Sequence, residues 1–352
     1  MGLQELFDSV KAWVNQPGQQ QLRVSIPADR TDVAPFGPIA PDASYFRLWL
    51  SEMFLDQQRN WFVDFQPMVH SIVKLKYGDR DSVSLATVAQ PPQAPAGTTI
   101  LLNYKLTELM PYKGGTIEID AALTALKTGS GLEPAIKILQ LFSGMMTVPL
   151  TPVLGIAERL ATGVQEIVAA ANGRTHLAIH DALRTGGPHG LAPGYVAVIR
   201  ATANDVAADR LSVRQSRLYY APIAGAAPVP FDLYDYMLFF IETMKERDDW
   251  RLKSIQEPLD EAKKALVTGE KQRADDYRKL TLIAAHTSPD LTQADRKRVL
   301  TALIAELKEA EDSGLGAVPP EPRTLAEIVE IHAPNPALMP PGPMSLRDLL
   351  AG

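Results

Sequence analysis

Residues 115–123 read GTIEIDAAL, and the first half of this stretch alternates apolar and polar residues. Successive side chains of a β-strand point to opposite faces, so Ile117 and Ile119 would share one face while Glu118 and Asp120 share the other. A period of two is typical of an antiparallel strand with one face against a core. The stretch therefore predicts a β-sheet that buries one of its faces.

Nine other runs along the chain have a similar extended and β-rich pattern. They cover residues 21–26, 45–55, 60–65, 69–78, 82–90, 98–109, 175–183, 194–203 and 211–220. Turn residues separate many of them, among them Pro91-Pro92 and Gly114-Gly115. Many short strands, with no helical pattern between them before Thr128, predict an antiparallel β-sandwich or a related barrel.

A long run of uncharged residues interrupts this β-rich region between Lys137 and Glu158. Its length is that of a helix that crosses a bilayer. Pro149 and Pro152 fall near its middle, however, and each interior proline costs a helix about 3 kcal/mol. Polar and apolar stripes on both sides of the prolines favour two amphipathic helices over one spanning helix. We therefore expect a helical hairpin over 132–172, inserted in the β-domain and packed on it.

The second arm of this hairpin has its own start signal and its own apolar stripe. Thr151 is a predicted N-cap, and Pro152 takes the first helical position, where proline is favoured. Leu160, Val164 and Ile167 then recur at helical spacing. A hairpin that leaves the core after a trigger and enters a bilayer remains an alternative.

A charged helical region follows the last of the β-like runs. Apolar residues at spacings of three and four predict a helix over 231–255, and Pro258 interrupts the pattern that follows it. Two further helices are expected after it. The second of them begins at Thr292 as N-cap, with Asp295 three residues later.

These patterns define an α+β protein of 352 residues, long enough for two domains. We expect an N-terminal amphipathic helix and linker over 1–20 and a β-sandwich domain over 21–225, which carries the hairpin insertion at 132–172. A charged helical region over 230–314 and a Pro-rich tail with short amphipathic segments over 315–352 complete the chain.

Composition excludes several classes of function. The net charge of −6 disfavours a nucleic-acid binder held mainly by phosphate contacts. The absence of cysteine excludes disulfides, thiol catalysis and cysteine-ligated zinc, and it fits a reducing compartment. The first residues lack a basic segment followed by a long apolar one, so no secretory signal is expected. Abundant alanine and 28 prolines are typical of a GC-rich bacterial genome, and we expect a cytoplasmic protein.

Three of the six histidines cluster in THLAIHDALRTGGPHG, where His176, His180 and His189 lie near Asp181. Imidazole and carboxylate groups are zinc ligands, which makes this set a candidate metal site and a metal-dependent hydrolase an alternative function. On a strand, however, His176 and His180 would be about 13 Å apart, at about 3.3 Å per residue. That distance is too long for one ion, so we predict no catalytic, cofactor-binding or metal site.

The remaining features favour a non-enzymatic interaction or effector subunit of a bacterial multi-protein assembly. A charged helical arm, amphipathic end segments and an extended tail all suit docking to protein partners. The partner-binding candidates are Leu6 and Trp13 near the start of the chain and Leu346, Leu349 and Leu350 near its end. A membrane-active effector that uses the hairpin or the N-terminal helix is the other alternative. We expect no cofactor and no nucleic-acid partner.

Overall fold

The computed structural model shows a mixed α+β protein whose named strands pair antiparallel. The described residues are 3–15, 20–32, 38–56, 59–60, 63–77, 80–90, 100–127, 136–137, 151–170, 173–184 and 191–312. The chain forms two compact units. The first contains residues 1–250 and 285–299, and the second contains residues 251–284 and 300–352.

Three sheets, all in the first unit, contain the fourteen described strands. Their bounds are β1 Leu22–Ile26, β2 Tyr45–Phe54, β3 Arg59–Asn60, β4 Val63–Tyr77, β5 Arg80–Ala89, β6 Ile100–Lys105, β7 Met110–Pro111, β8 Ile117–Lys127, β9 Arg174–Leu183, β10 Gly194–Ile199, β11 Leu211–Arg214, β12 Arg217–Tyr220, β13 Val229–Pro230 and β14 Tyr236–Met244. The first sheet has the order β1-β10-β14-β2-β6, with β7 also beside β2. The second has the order β3-β4-β8-β9, with β5 also beside β4, and the third is β11-β12-β13.

The stretch GTIEIDAAL forms the start of β8, between β4 and β9 in the second sheet. Ile117 and Ile119 are buried in the main core, as the alternation predicts. Asp120 belongs to the opposite face and is also buried, at 1% exposure. The face that carries Asp120 is therefore also covered at this position, whereas Glu118 on the same face is only partly buried.

The main core contains buried side chains from both larger sheets, an arrangement compatible with the predicted sandwich. Leu50, Met237 and Phe239 contribute from the first sheet, and Val69 and Leu123 from the second. A second apolar cluster joins the first and third sheets. Its members include Val24, Tyr195, Leu211, Leu218, Phe231, Tyr236 and Leu238. The first sheet is thus covered on both faces.

The helix bounds are α1 Leu3–Val14, α2 Thr151–Ala170, α3 Lys253–Thr268, α4 Lys271–Thr287 and α5 Gln293–Asp312. Helix α1 has the predicted place in the chain. It contacts β8, β9 and α2, and its Val10 is buried. Among the helices that the structure describes, none combines the length and the hydropathy that crossing a bilayer requires.

Helix α2 begins at Thr151, and its apolar stripe contributes to the main core. Leu160, Val164 and Ile167 are all at most 4% exposed, and α2 contacts β5 of the second sheet. Of the first arm of the predicted hairpin, only residues 136–137 lie within the described ranges. They are helical, and Ile136 is buried.

Two helix predictions were wrong. Most of the segment 231–255 is not helical, because it contains strand β14, and α3 begins only at Lys253. Tyr236, Met237 and Leu238 are buried in succession, and a strand covered on both faces shows a continuous apolar run that periodicity cannot distinguish from a helix. Pro258 lies inside α3 and does not end it.

The predicted start of the last helix is confirmed. The backbone N–H of Asp295 donates to Thr292 Oγ1 at 3.1 Å, as in an N-terminal cap. In a capping box the N3 side chain also accepts from the N-cap N–H, and here the Tyr45 hydroxyl bridges these two groups. It accepts from the Thr292 N–H at 3.0 Å and donates to the Asp295 carboxylate at 2.9 Å.

The second unit is helical in its described part. Its buried apolar side chains come from all three of the last helices. They are Ile255, Leu259, Ala262 and Ala265 of α3, Ala274 of α4, and Leu303 and Leu307 of α5.

Candidate functional site

A buried carboxylate binds a half-buried imidazole on the second sheet. Asp120 of β8 pairs in register with His180 of β9. His180 Nδ1 lies 2.9 Å from Asp120 Oδ1, and the His180 side chain is 30% exposed. A carboxylate on Nδ1 fixes the ring and leaves Nε2 for a second partner, which is how an imidazole is oriented as a general base.

Further polar atoms on the same face of the sheet have no hydrogen-bond partner in the described part of the chain. They are the second carboxylate oxygen of Asp120, both ring nitrogens of His70, and the hydroxyl of Thr124. His70 of β4 pairs with Ala122 of β8, the residue midway between Asp120 and Thr124 on that strand. We call Asp120, His180, His70 and Thr124 the Asp120 cluster.

Burial controls the charge of this cluster. It raises the pKa of Asp120, against the opposing effects of the His180 hydrogen bond and charge and of Lys11 and Lys74. Burial lowers the pKa of His70 to about 4, so this imidazole is neutral at pH 7. No group of three or more acids and histidines within the described ranges could hold a metal ion.

We expect His70 to make the folded protein sensitive to mild acid. The unfolded chain protonates this histidine near pH 6.5, whereas the folded protein resists protonation until about pH 4. Stability should therefore fall by about 3 kcal/mol as the pH drops from 7 to 4. Urea unfolding between pH 7 and pH 4 measures this fall in stability, and the fall should be absent in His70→Gln. The control His286→Gln, at an exposed histidine, should keep it, and identical profiles for both variants would contradict the prediction.

A second buried carboxylate, Asp235, lies just before β14 and accepts three hydrogen bonds. The Asp56 N–H donates at 2.7 Å, Arg200 Nη1 donates at 3.2 Å, and His176 Nδ1 lies at 3.3 Å. Burial alone would raise the pKa of Asp235, but these partners outweigh it and lower the pKa. The group connects the start of β9 to the first sheet, which is a structural role.

The structure places the histidine candidates in separate pairs. His180 binds Asp120, and His176 binds Asp235. Asp181 lies 2.6 Å from Arg23 of β1, so it pairs with the first sheet. His189 lies outside the described residues.

Among the partner-binding candidates, only the Trp13 side chain is described. It is 9% exposed and belongs to the main core. The Leu6 side chain and the tail residues Leu346, Leu349 and Leu350 lie outside the described part of the chain.

The loop around β13 exposes three large apolar side chains. Ile223, Val229 and Leu233 are 68%, 47% and 51% exposed, and they are three of the seven exposed large apolar residues in the described ranges. We call residues 221–235 the exposed loop. A tight turn begins it, in which the Ala226 N–H donates to the Ile223 carbonyl and Gly225 adopts φ +81°. Sequence reasoning missed these residues, although isolated large apolar residues among Pro, Gly and Ala were the available signal.

A groove of about 330 Å³ lies in the second unit, between the end of α3, the start of α4 and the end of α5. We call it the α3–α5 groove. Its lining combines apolar and charged side chains. They are Ala265, Leu266, Gly269, Lys271, Ala274, Asp275, Arg278, Leu307, Ala310 and Glu311.

Comparison with known proteins gives no relative. No protein-family model, no curated protein and no solved structure matches this chain.

Proposed function

We propose that this chain is a non-enzymatic interaction subunit of a bacterial multi-protein assembly and that the exposed loop binds its protein partner. The observation that carries the proposal is the exposure of Ile223, Val229 and Leu233 within eleven residues of chain. Large apolar side chains concentrated at the surface are typical of protein-binding sites.

A buried residue holds the backbone of the exposed loop in place. Binding would therefore require little loss of conformational entropy in the loop. Phe231 lies between Val229 and Leu233 in the chain but is only 1% exposed. Its N–H donates to the Leu218 carbonyl at 2.9 Å, and its ring packs edge-on against Tyr236, with centroids 5.4 Å apart. The exposed residues Val229 and Leu233 therefore lie on a backbone that Phe231 holds in place.

The partner is expected to bind by side-chain packing and not by adding a strand. Strand β13 has only two residues, and one of them is Pro230. Proline has no N–H to donate to an added strand, and very short edge strands are poor templates for pairing. A partner that presents apolar side chains of its own suits this surface.

The proposal includes the finer features of the predicted architecture. The hairpin over 132–172 would cover the second sheet, with α2 as its second arm. The buried stripe of α2 and the burial of Ile136 support this placement. The Pro-rich tail over 315–352 would extend from the helical unit and act inside the bacterial cell as a second contact region.

Affinity capture from the native host with quantitative mass spectrometry tests the proposal. The double variant Ile223→Glu/Leu233→Glu should recover at least about tenfold less partner than wild type, because each exposed anchor residue is expected to contribute over 1 kcal/mol. Its melting temperature should change little, since exposed substitutions rarely affect stability.

The control is Ile304→Glu, which adds one of these charges at an exposed apolar position on α5, away from the exposed loop in the chain. It should recover as much partner as wild type. Equal recovery with the double variant and wild type would rule out the exposed loop as the binding surface.

A further inference from the structure

The α3–α5 groove is shaped for inserted apolar side chains. Ala265, Ala274 and Ala310 line it, and their small side chains leave depth between the helices. Leu266 and Leu307 add larger apolar surface. A volume of about 330 Å³ is at the small end of ligand-pocket sizes and suits a few side chains of a short helix.

The rim of the groove carries charges of both signs that are weakly paired with each other. Lys271 and Arg278 are its cations, and Asp275 and Glu311 its acids. Arg278 Nη1 lies 3.7 Å from Glu311, and both side chains are at least 42% exposed. An exposed pair at this distance contributes little, so Arg278 remains able to bind another carboxylate.

We propose that residues 325–332 of the same chain, LAEIVEIH, occupy this groove as a short helix. Leu325, Ile328 and Val329 recur at spacings of three and four, which places them on one side of a helix. Thr324 and Glu327 form the Thr-x-x-Glu pattern of a capping box at its start.

Charge complementarity supports this occupant. Glu327 and Glu330 lie on the polar side of the segment, each about 100° around the helix from the nearest residue of the apolar side. Their negative charge would be attracted to Lys271 and Arg278 once the apolar side chains enter the groove. The other amphipathic segment of the tail, SLRDLL at 345–350, carries one acid and one base and offers no net charge to the rim.

The length of chain beyond α5 also supports it. Helix α5 ends at Asp312, next to the groove-lining Glu311. The connecting residues 313–324 reach up to about 40 Å when extended, which is ample for a return to the same groove. A tether of this length gives an effective concentration in the millimolar range, so even a weak helix–groove contact would be occupied. A partner with a similar helix would have to displace the segment.

Cysteine pairs test this occupancy directly, because the natural chain has no cysteine. The variant Ala310→Cys/Ile328→Cys places one thiol in the groove and one on the segment. A disulfide needs Cα atoms within about 7 Å, so it reports close approach. At sub-micromolar concentration under mild oxidation, mass spectrometry should show an intramolecular disulfide that forms at least about tenfold faster than in the control Ala305→Cys/Ile328→Cys. Ala305 is exposed on the same helix and does not line the groove.

Two further variants make the outcome decisive. Adding Lys271→Glu and Arg278→Glu to the first pair should slow disulfide formation, and adding Glu327→Lys and Glu330→Lys to that variant should restore it. Equal rates for the Ala310 and Ala305 pairs would overturn the proposal. So would faster closure of Ala310→Cys/Leu346→Cys, which would assign the groove to the end of the tail. No partner is needed, so this result is independent of the exposed loop.

Discussion

Leu160→Asp is expected to lower the free energy of unfolding by at least about 4 kcal/mol. Leu160 is 0% exposed and lies on α2 among the side chains of the main core. The substitution removes about 2–3 kcal/mol of apolar burial and adds the cost of a carboxyl group without a partner in that core. Urea unfolding followed by circular dichroism measures the loss.

The control is Ala169→Asp, on the same helix at an exposed position. It should cost no more than about 0.5 kcal/mol, since a surface charge near the helix C-terminus is only weakly unfavourable. If both variants were as stable as wild type, α2 would not be packed on the sheet, and the membrane-active alternative would gain support.

Glu52→Ala is expected to cost about 3–5 kcal/mol, the loss typical of a broken buried ionic network. Glu52 of β2 is fully buried, and burial raises its pKa. Its carboxylate accepts from the Leu218 N–H at 2.8 Å, the Tyr236 hydroxyl at 2.7 Å and Arg217 Nε at 3.1 Å. Alanine would leave the Leu218 N–H buried without this acceptor and would remove the Glu52 acceptor of the Tyr236 hydroxyl.

Urea unfolding should show a much larger loss of stability for Glu52→Ala than for Glu108→Ala. The latter removes an exposed ion pair with Lys105. We expect the latter to change stability by less than about 1 kcal/mol. A similar small change in both variants would mean that Glu52 does not connect the first and third sheets.

Sequence patterns correctly predicted the elements that depend on residues close together in the chain. The alternation in GTIEIDAAL predicted β8, the amphipathic pattern at the N-terminus predicted α1, and the Thr292–Asp295 pair predicted the start of α5. Strand β14 was misassigned because its apolar run is covered on both faces. The turn between β11 and β12 was missed because it uses Gln215 and Ser216 at positive φ, where glycine or asparagine is the usual signal.

The candidate sites depend on partners that are distant in sequence. His176 and His180 stood out in the sequence, but their carboxylates lie about sixty residues away, at Asp235 and Asp120. No local pattern predicts which carboxylate each ring binds. Exposure of Ile223, Val229 and Leu233 likewise depends on how Phe231 is anchored. Its contacts with Leu218 of the third sheet and Tyr236 of the first sheet are not visible in the sequence.

Hydrogen–deuterium exchange of the full chain, with and without its captured partner, tests the proposed function most directly. We predict slower exchange on binding for the backbone amides of residues 221–235, because the partner would cover the exposed loop. The same complex formed with Ile304→Glu should give the same protection. Unchanged exchange in the exposed loop, together with protection elsewhere in the chain, would contradict the proposal that the loop is the docking surface.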